Sequence, residues 1–152
     1  MTFLYLDASA WVKRYYLEPG SDRVQALLAS EDPRVCSVLG LVEVMSTLAR
    51  KRKAQEITPA ELSAAIAAIE RDWQSFVQVE LSLQTLNQAK DTAVRLALRG
   101  ADAVHFAALL ALERRVSGTG HRVALVASDR ELKEAAEAAG IAVLDPESES
   151  WN

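Results

Sequence analysis

The chain has a single cysteine among its 152 residues. Cys36 therefore has no partner for an internal disulfide, and a cysteine-based zinc cluster is excluded. It lies in the apolar stretch Val35-Cys36-Ser37-Val38-Leu39 and reads as a small core residue. Histidine is nearly as scarce. His105 and His121 are the only two, and neither suggests zinc. No apolar run approaches the roughly 20 residues that a membrane-spanning helix needs. The start, Met1-Thr2-Phe3-Leu4-Tyr5-Leu6, carries no basic segment and meets a charge at Asp7, unlike a secretory signal. A soluble, cytoplasmic protein with no membrane partner is expected. An excess of positive charge is also missing: 17 Lys and Arg face 21 Asp and Glu, for a net charge of −4. That argues against a broad basic surface gripping nucleic acid. It leaves room for a local basic rim around an acidic centre.

Proline and glycine are few, and most fall where elements should end. Phe3–Leu6 reads as a short buried strand. Residues 8–16 read as a helix stopped by Glu18-Pro19-Gly20, and 21–30 as a second helix. Pro33 precedes a strand at 35–38, and a helix should follow over 39–53. Thr58-Pro59-Ala60-Glu61 is a helix start with a capping box, and that helix should run to Trp73. A strand is expected at 76–80. A long helix should cover 82–99 and end on Gly100, with another over 101–115. Ser117-Gly118-Thr119-Gly120-His121 reads as a loop. Val123–Ala127 is a strand of the continuous apolar kind found inside parallel sheets. A helix over 128–139 stops at Gly140, and a last strand, 141–144, is closed by Asp145-Pro146. Strands and helices alternate throughout. The expected fold is therefore α/β: a three-layer α/β/α sandwich around a mainly parallel sheet of four or five strands. Residues 1–146 should form one domain, with a short, loosely held tail at 147–152 that is polar apart from Trp151.

In open α/β sheets, ligands bind beyond the carboxyl ends of the strands. Asp7 follows the first strand, and Asp129 follows Val123–Ala127. Glu43 and Asp102 stand near the starts of helices. Each acid alone has a plain structural explanation. Asp129 fits the first turn of a helix capped by Ser128 and Glu131, and Asp102 fits a helix start. Glu43 shares a polar helical face with Ser46, Thr47 and Arg50. Asp7 is a possible cap, yet a carboxylate closing a buried strand must be paired, hydrogen-bonded or bound to a cation. If the four converge, each pair repels by about 1–3 kcal/mol at ~5 Å and surface-like dielectric. A cation would offset that, and oxygen-only ligands suit Mg²⁺ or Mn²⁺.

The segments Leu6-Asp7-Ala8-Ser9-Ala10, Leu41-Val42-Glu43-Val44, Gly100-Ala101-Asp102-Ala103-Val104-His105 and Ala127-Ser128-Asp129-Arg130-Glu131-Leu132, with the closing Leu144-Asp145-Pro146, resemble a PIN-domain ribonuclease of the VapC toxin type. The resemblance runs from residue 3 to about 146. It implies a Mg²⁺- or Mn²⁺-dependent endoribonuclease whose metal is surrounded by Asp7, Glu43, Asp102 and Asp129. Asp7 and Asp102 would be direct ligands, with Glu43 and Asp129 acting through water or at a second metal. Ser9 matches the family's hydroxyl position and would orient Asp7. The implied partners are an RNA substrate, a cognate antitoxin and a second copy of the chain in a homodimer, with helices 21–30 and 58–73 as the contact elements. The alternatives are a PIN-fold nuclease that is not a toxin, or a non-catalytic domain that binds RNA or protein. A phosphatase-like reading wants a second acid where Ser9 stands. A receiver-like reading wants an acidic pair near the first strand and a lysine after the last.

Around the acids, Lys13, Arg14 and Arg130 are the first candidates for a phosphate rim, with the Arg50–Lys53 run as a further RNA-backbone contact. His105, one turn after Asp102, should share its face as a packed, hydrogen-bonded residue. Trp11, Tyr15, Tyr16, Trp73 and Phe76 are candidates for core, for a protein-binding surface or for base stacking.

Overall fold

The computed structural model describes residues 1–149; Trp151, and with it the end of the expected tail, lies outside the described residues. Five strands form one sheet: β1 (Thr2–Leu6), β2 (Arg34–Ser37), β3 (Val77–Val79), β4 (Arg122–Val126) and β5 (Ala142–Leu144). Their order is β3-β2-β1-β4-β5, and every neighbouring pair is parallel. The helices are α1 (Ala8–Trp11), which continues as a tighter turn over Val12–Arg14, α2 (Ser21–Leu28), α3 (Val38–Lys53), α4 (Pro59–Trp73), α5 (Leu83–Leu96), α6 (Gly100–Val116) and α7 (Arg130–Ala138). None of the described helices is long and apolar enough to cross a membrane.

The two-residue period of the strands sorts the core into two layers. Leu4, Leu6, Ala124 and Val126 point to the side covered by α1 to α4. Tyr5, Val35, Val123 and Leu125 point to the side covered by α5, α6 and α7. Both faces of the sheet are covered, so the buried parts of β1 and β4 are apolar on both sides and the three-layer expectation holds. Trp11 anchors the first layer. Fully buried, it stacks on Trp73 and packs against Phe76. These rings are core, and base stacking does not apply to them. Cys36 is buried in the same layer.

Thr58 caps α4 with the expected capping box. Two expected boundaries move. The long helix does not end on Gly100. It ends at Leu96, where Ala97 takes the left-handed conformation at φ 52°, and Gly100 is the first residue of α6. Ser128 does not cap α7. Asp129 does, its Oδ1 accepting from the Leu132 backbone N–H at 2.9 Å. Ser128 instead donates its backbone N–H to Ser9 Oγ at 3.1 Å. The start of the tail is tied down: Glu147 pairs with Lys13, and Arg23 donates to the Pro146 and Ser148 carbonyls.

Candidate active site

Strand order places the site. β1 leads outward through β2 and β3, then the chain returns to lay β4 on the other side of β1. The crossovers diverge between β1 and β4, and a crevice opens beyond the carboxyl ends of these two strands. Asp7 leaves β1 there with its backbone N–H donating to the Val126 carbonyl of β4 at 3.0 Å. Asp129 caps the helix that follows β4. Glu43 comes from the first turns of α3 and Asp102 from the first turn of α6. All four carboxylates and Ser9 line one open cleft of about 530 Å³.

Asp7 is buried, and Ser9 holds it twice: backbone N–H to Oδ2 at 3.2 Å and hydroxyl to Oδ2 at 2.6 Å. Because Ser9 Oγ also accepts from the Ser128 N–H, the hydroxyl ties the ends of β1 and β4 together. Asp7 Oδ1 stays clear of these contacts and lies 3.5 Å from His105 Nε2. His105 is fully buried, with Glu43 Oε1 hydrogen-bonded at the same Nε2 and the Tyr5 hydroxyl 2.9 Å from Nδ1. The polar face of α3 forms one wall, where Glu43, Ser46, Thr47 and Arg50 all border the cleft.

Arg99 supplies the nearest positive charge. Its Nε is 3.2 Å from Asp102 Oδ2 and its Nη2 is 2.7 Å from Asp129 Oδ2. This cation does not neutralise the cluster. Burial, and then the charges of Asp129 and Asp7, hold the Asp102 carboxyl above its ordinary range against the pull of Arg99. Burial alone would lower the His105 imidazole, but the Glu43 hydrogen bond and the charges of Asp7, Glu43 and Asp102 outweigh it and raise it. A further cation beside Asp102 would offset the repulsion from Asp129 and Asp7. Carboxylate oxygens, one of them on a buried Asp7, suit a hard divalent ion. The residues present therefore fit a divalent metal.

The PIN domain family model matches residues 4–138, which takes in all four acids. The chain belongs to the PIN-domain family. Ribonuclease VapC45 of Mycobacterium tuberculosis is 40% identical over 154 aligned residues, which cover 96% of this chain and all of that one. Among solved structures, the PIN fold superposes on Mycobacterium tuberculosis VapC20, described as a sarcin-ricin loop cleaving toxin. The TM-score is 0.63 at 22% identity, over 91% of this chain and 95% of that one. It also superposes on DNA-bound VapBC from Salmonella typhimurium, with a TM-score of 0.61 at 16% identity, over 96% and 99% of the two chains.

Other expectations about this PIN domain need correction. Lys13 and Arg14 do not form the rim of the cleft. Lys13 is buried in ion pairs with Glu18 and Glu147, and Arg14 is drawn to Asp72 and Gln25. Both lie in the tighter turn over Val12–Arg14. Arg130 is exposed beside Glu134 and also lies off the cleft. The arginines on the cleft are Arg99 and Arg50. By sequence alone Arg99 reads as the end of one helix. Once Gly100 is seen to open α6, Arg99 stands three residues before Asp102, at the mouth of the site.

Proposed function

We propose that this cleft binds Mg²⁺ or Mn²⁺ and hydrolyses phosphodiester bonds in RNA, and that the protein is the toxin of a VapBC-type toxin–antitoxin pair. One observation carries the reading. Asp7, Glu43, Asp102 and Asp129, from four separate segments, line a single cleft in a chain 40% identical to a named ribonuclease. Asp7 and Asp102, the two buried acids, are the direct ligands. Glu43 and Asp129, more exposed, act through water or at a second ion. A bound divalent cation supplies charge stabilisation at phosphate oxygens and lowers the pKa of a water. Ser9 fixes one oxygen of Asp7, so the other faces the site in a set orientation. Arg99 and Arg50 provide guanidinium groups at the cleft for the phosphates flanking the cut. The antitoxin partner is supported by the likeness to VapBC.

The test is cleavage of a mixed RNA pool, with and without a chelator, followed by analysis of the new ends. The proposal expects cuts that stop under chelation, resume with added Mn²⁺, and leave 5′-phosphate and 3′-hydroxyl ends. Cuts that persist in the chelator and leave 2′,3′-cyclic phosphates would belong to a metal-free acid–base ribonuclease and sink it.

A further inference from the structure

Asp7, Glu43 and His105 each offer one ligand atom, and these atoms lie within 4.8 Å of one another, so His105 stands where a third metal ligand could stand. We propose instead that His105 is a positioning residue: its Nε2–H donates a hydrogen bond to Glu43, and in the neutral ring the Tyr5 hydroxyl donates to Nδ1 and holds that tautomer. The inference rests on reading the cleft as the cation site.

The direction of the hydrogen bonds decides between the two roles. A ligating histidine presents an Nε2 lone pair and donates its Nδ1–H to an acceptor. Here the group facing Nδ1 is the Tyr5 hydroxyl, at 2.9 Å and fully buried. Nε2 faces two carboxylate oxygens, which only accept, so Nε2 carries a proton, and in a neutral ring Nδ1 is left to accept from the Tyr5 hydroxyl. Among the described residues no other side-chain or backbone acceptor is hydrogen-bonded to that hydroxyl. Nδ1 thus accepts, and a neutral ring must carry its proton on Nε2. That proton meets Glu43 Oε1, with Asp7 Oδ1 3.5 Å away. Both partners are carboxylate oxygens, which accept only.

Packing holds the ring in this sense. A half-turn about χ2 would place ring carbons against Tyr5 and Glu43 and lose both hydrogen bonds. On the α3 side, a Cβ at Gly40 would meet Cys36 Sγ at 2.2 Å and reach His105 Cε1 at 3.4 Å, so the α3 backbone packs closely on this part of the core. The chain from Tyr5 on β1, through His105 on α6, to Glu43 on α3 crosses from one side of the sheet to the cleft. Its effect is to fix one oxygen of Glu43 and keep nitrogen out of the donor set. The remaining oxygen donors favour Mg²⁺ or Mn²⁺ over zinc.

The test is ¹⁵N NMR of the ring nitrogens in the full chain, at a pH well above the imidazole range so that the ring is neutral. The expected result is a protonated Nε2 and an unprotonated Nδ1 for His105, unchanged when Mg²⁺ is added. Tyr5→Phe, checked for native fold by circular dichroism, should shift His105 towards the other tautomer. His105→Gln, which keeps a donor near the Nε2 position, should hold Mn²⁺ affinity close to wild type, whereas His105→Phe should weaken it about tenfold or more. An unprotonated Nε2 in the wild type, or one that loses its proton to Mg²⁺, would make His105 a ligand and overturn the inference. The tautomer is read whether or not RNA is cut, so failure of the nuclease reading and failure of this one are separate results.

Discussion

Asp102 carries the clearest cost of gathering the site. Its carboxyl is raised, first by burial and then by Asp129 and Asp7, against Arg99. The folded value lies above the unfolded one near 3.9. Its contribution to stability is therefore complete below the unfolded value and is lost as pH rises through the raised folded value. At neutral pH the ionised group works against the metal-free fold. Asp102→Asn should leave the melting temperature in chelator unchanged or higher, while abolishing the stabilisation that Mn²⁺ gives the wild type. Thermal unfolding with and without Mn²⁺ checks both halves; a large loss of stability in chelator would mean that Asp102 is structural. At this scale the sequence was informative where burial forces an answer. Asp7, closing an apolar strand, needs a partner by position alone. His105 was legible as packed and hydrogen-bonded, but its contacts with Tyr5 and Glu43 join residues 100 and 62 positions apart, which no local pattern encodes.

At the scale of elements, Asp129 serves two purposes. It caps α7 through Oδ1, and its Oδ2 faces Arg99 in the cleft. The two purposes separate by substitution. Asparagine caps as well as aspartate, so Asp129→Asn should keep the stability of α7 and lose most of the RNA cleavage. Asp129→Ala should lose both, with about 1 kcal/mol from the cap. Denaturant unfolding alongside a cleavage assay distinguishes them; full cleavage by Asp129→Asn would reduce this residue to a cap. Most elements were readable because period and punctuation agreed, as at Thr58-Pro59-Ala60-Glu61. The junction after α5 was not. Gly100 looked like the glycine that ends a helix, whereas Ala97 adopts the left-handed turn despite its Cβ and frees Gly100 to begin α6. Propensity favoured the glycine, and packing of α5 against α6 chose otherwise. The exposed apolar residues Leu83, Leu86, Val94 and Leu96 lie on α5.

For the whole molecule, parallel order and the divergence of crossovers at β1 and β4 account for the convergence of four distant acids. The alternation of strands and helices made that architecture readable, but the order β3-β2-β1-β4-β5 came only from the structure. The acidic balance of the chain, with two arginines on the cleft, predicts that RNA is held by few phosphate contacts. With about two such contacts, the logarithm of affinity should fall with the logarithm of salt at a slope of about −1.4 for single-stranded RNA. Binding by a cleavage-deficient variant across salt concentrations measures it, and a slope several times steeper would reveal a basic surface that the fold does not display. Under the proposed function the four carboxylates act together through a divalent ion. RNA cleavage by wild type and Asp7→Asn across a Mn²⁺ titration tests this. Cleavage should rise with Mn²⁺ in the wild type and be absent from Asp7→Asn at every concentration; equal cleavage by the two proteins would contradict it.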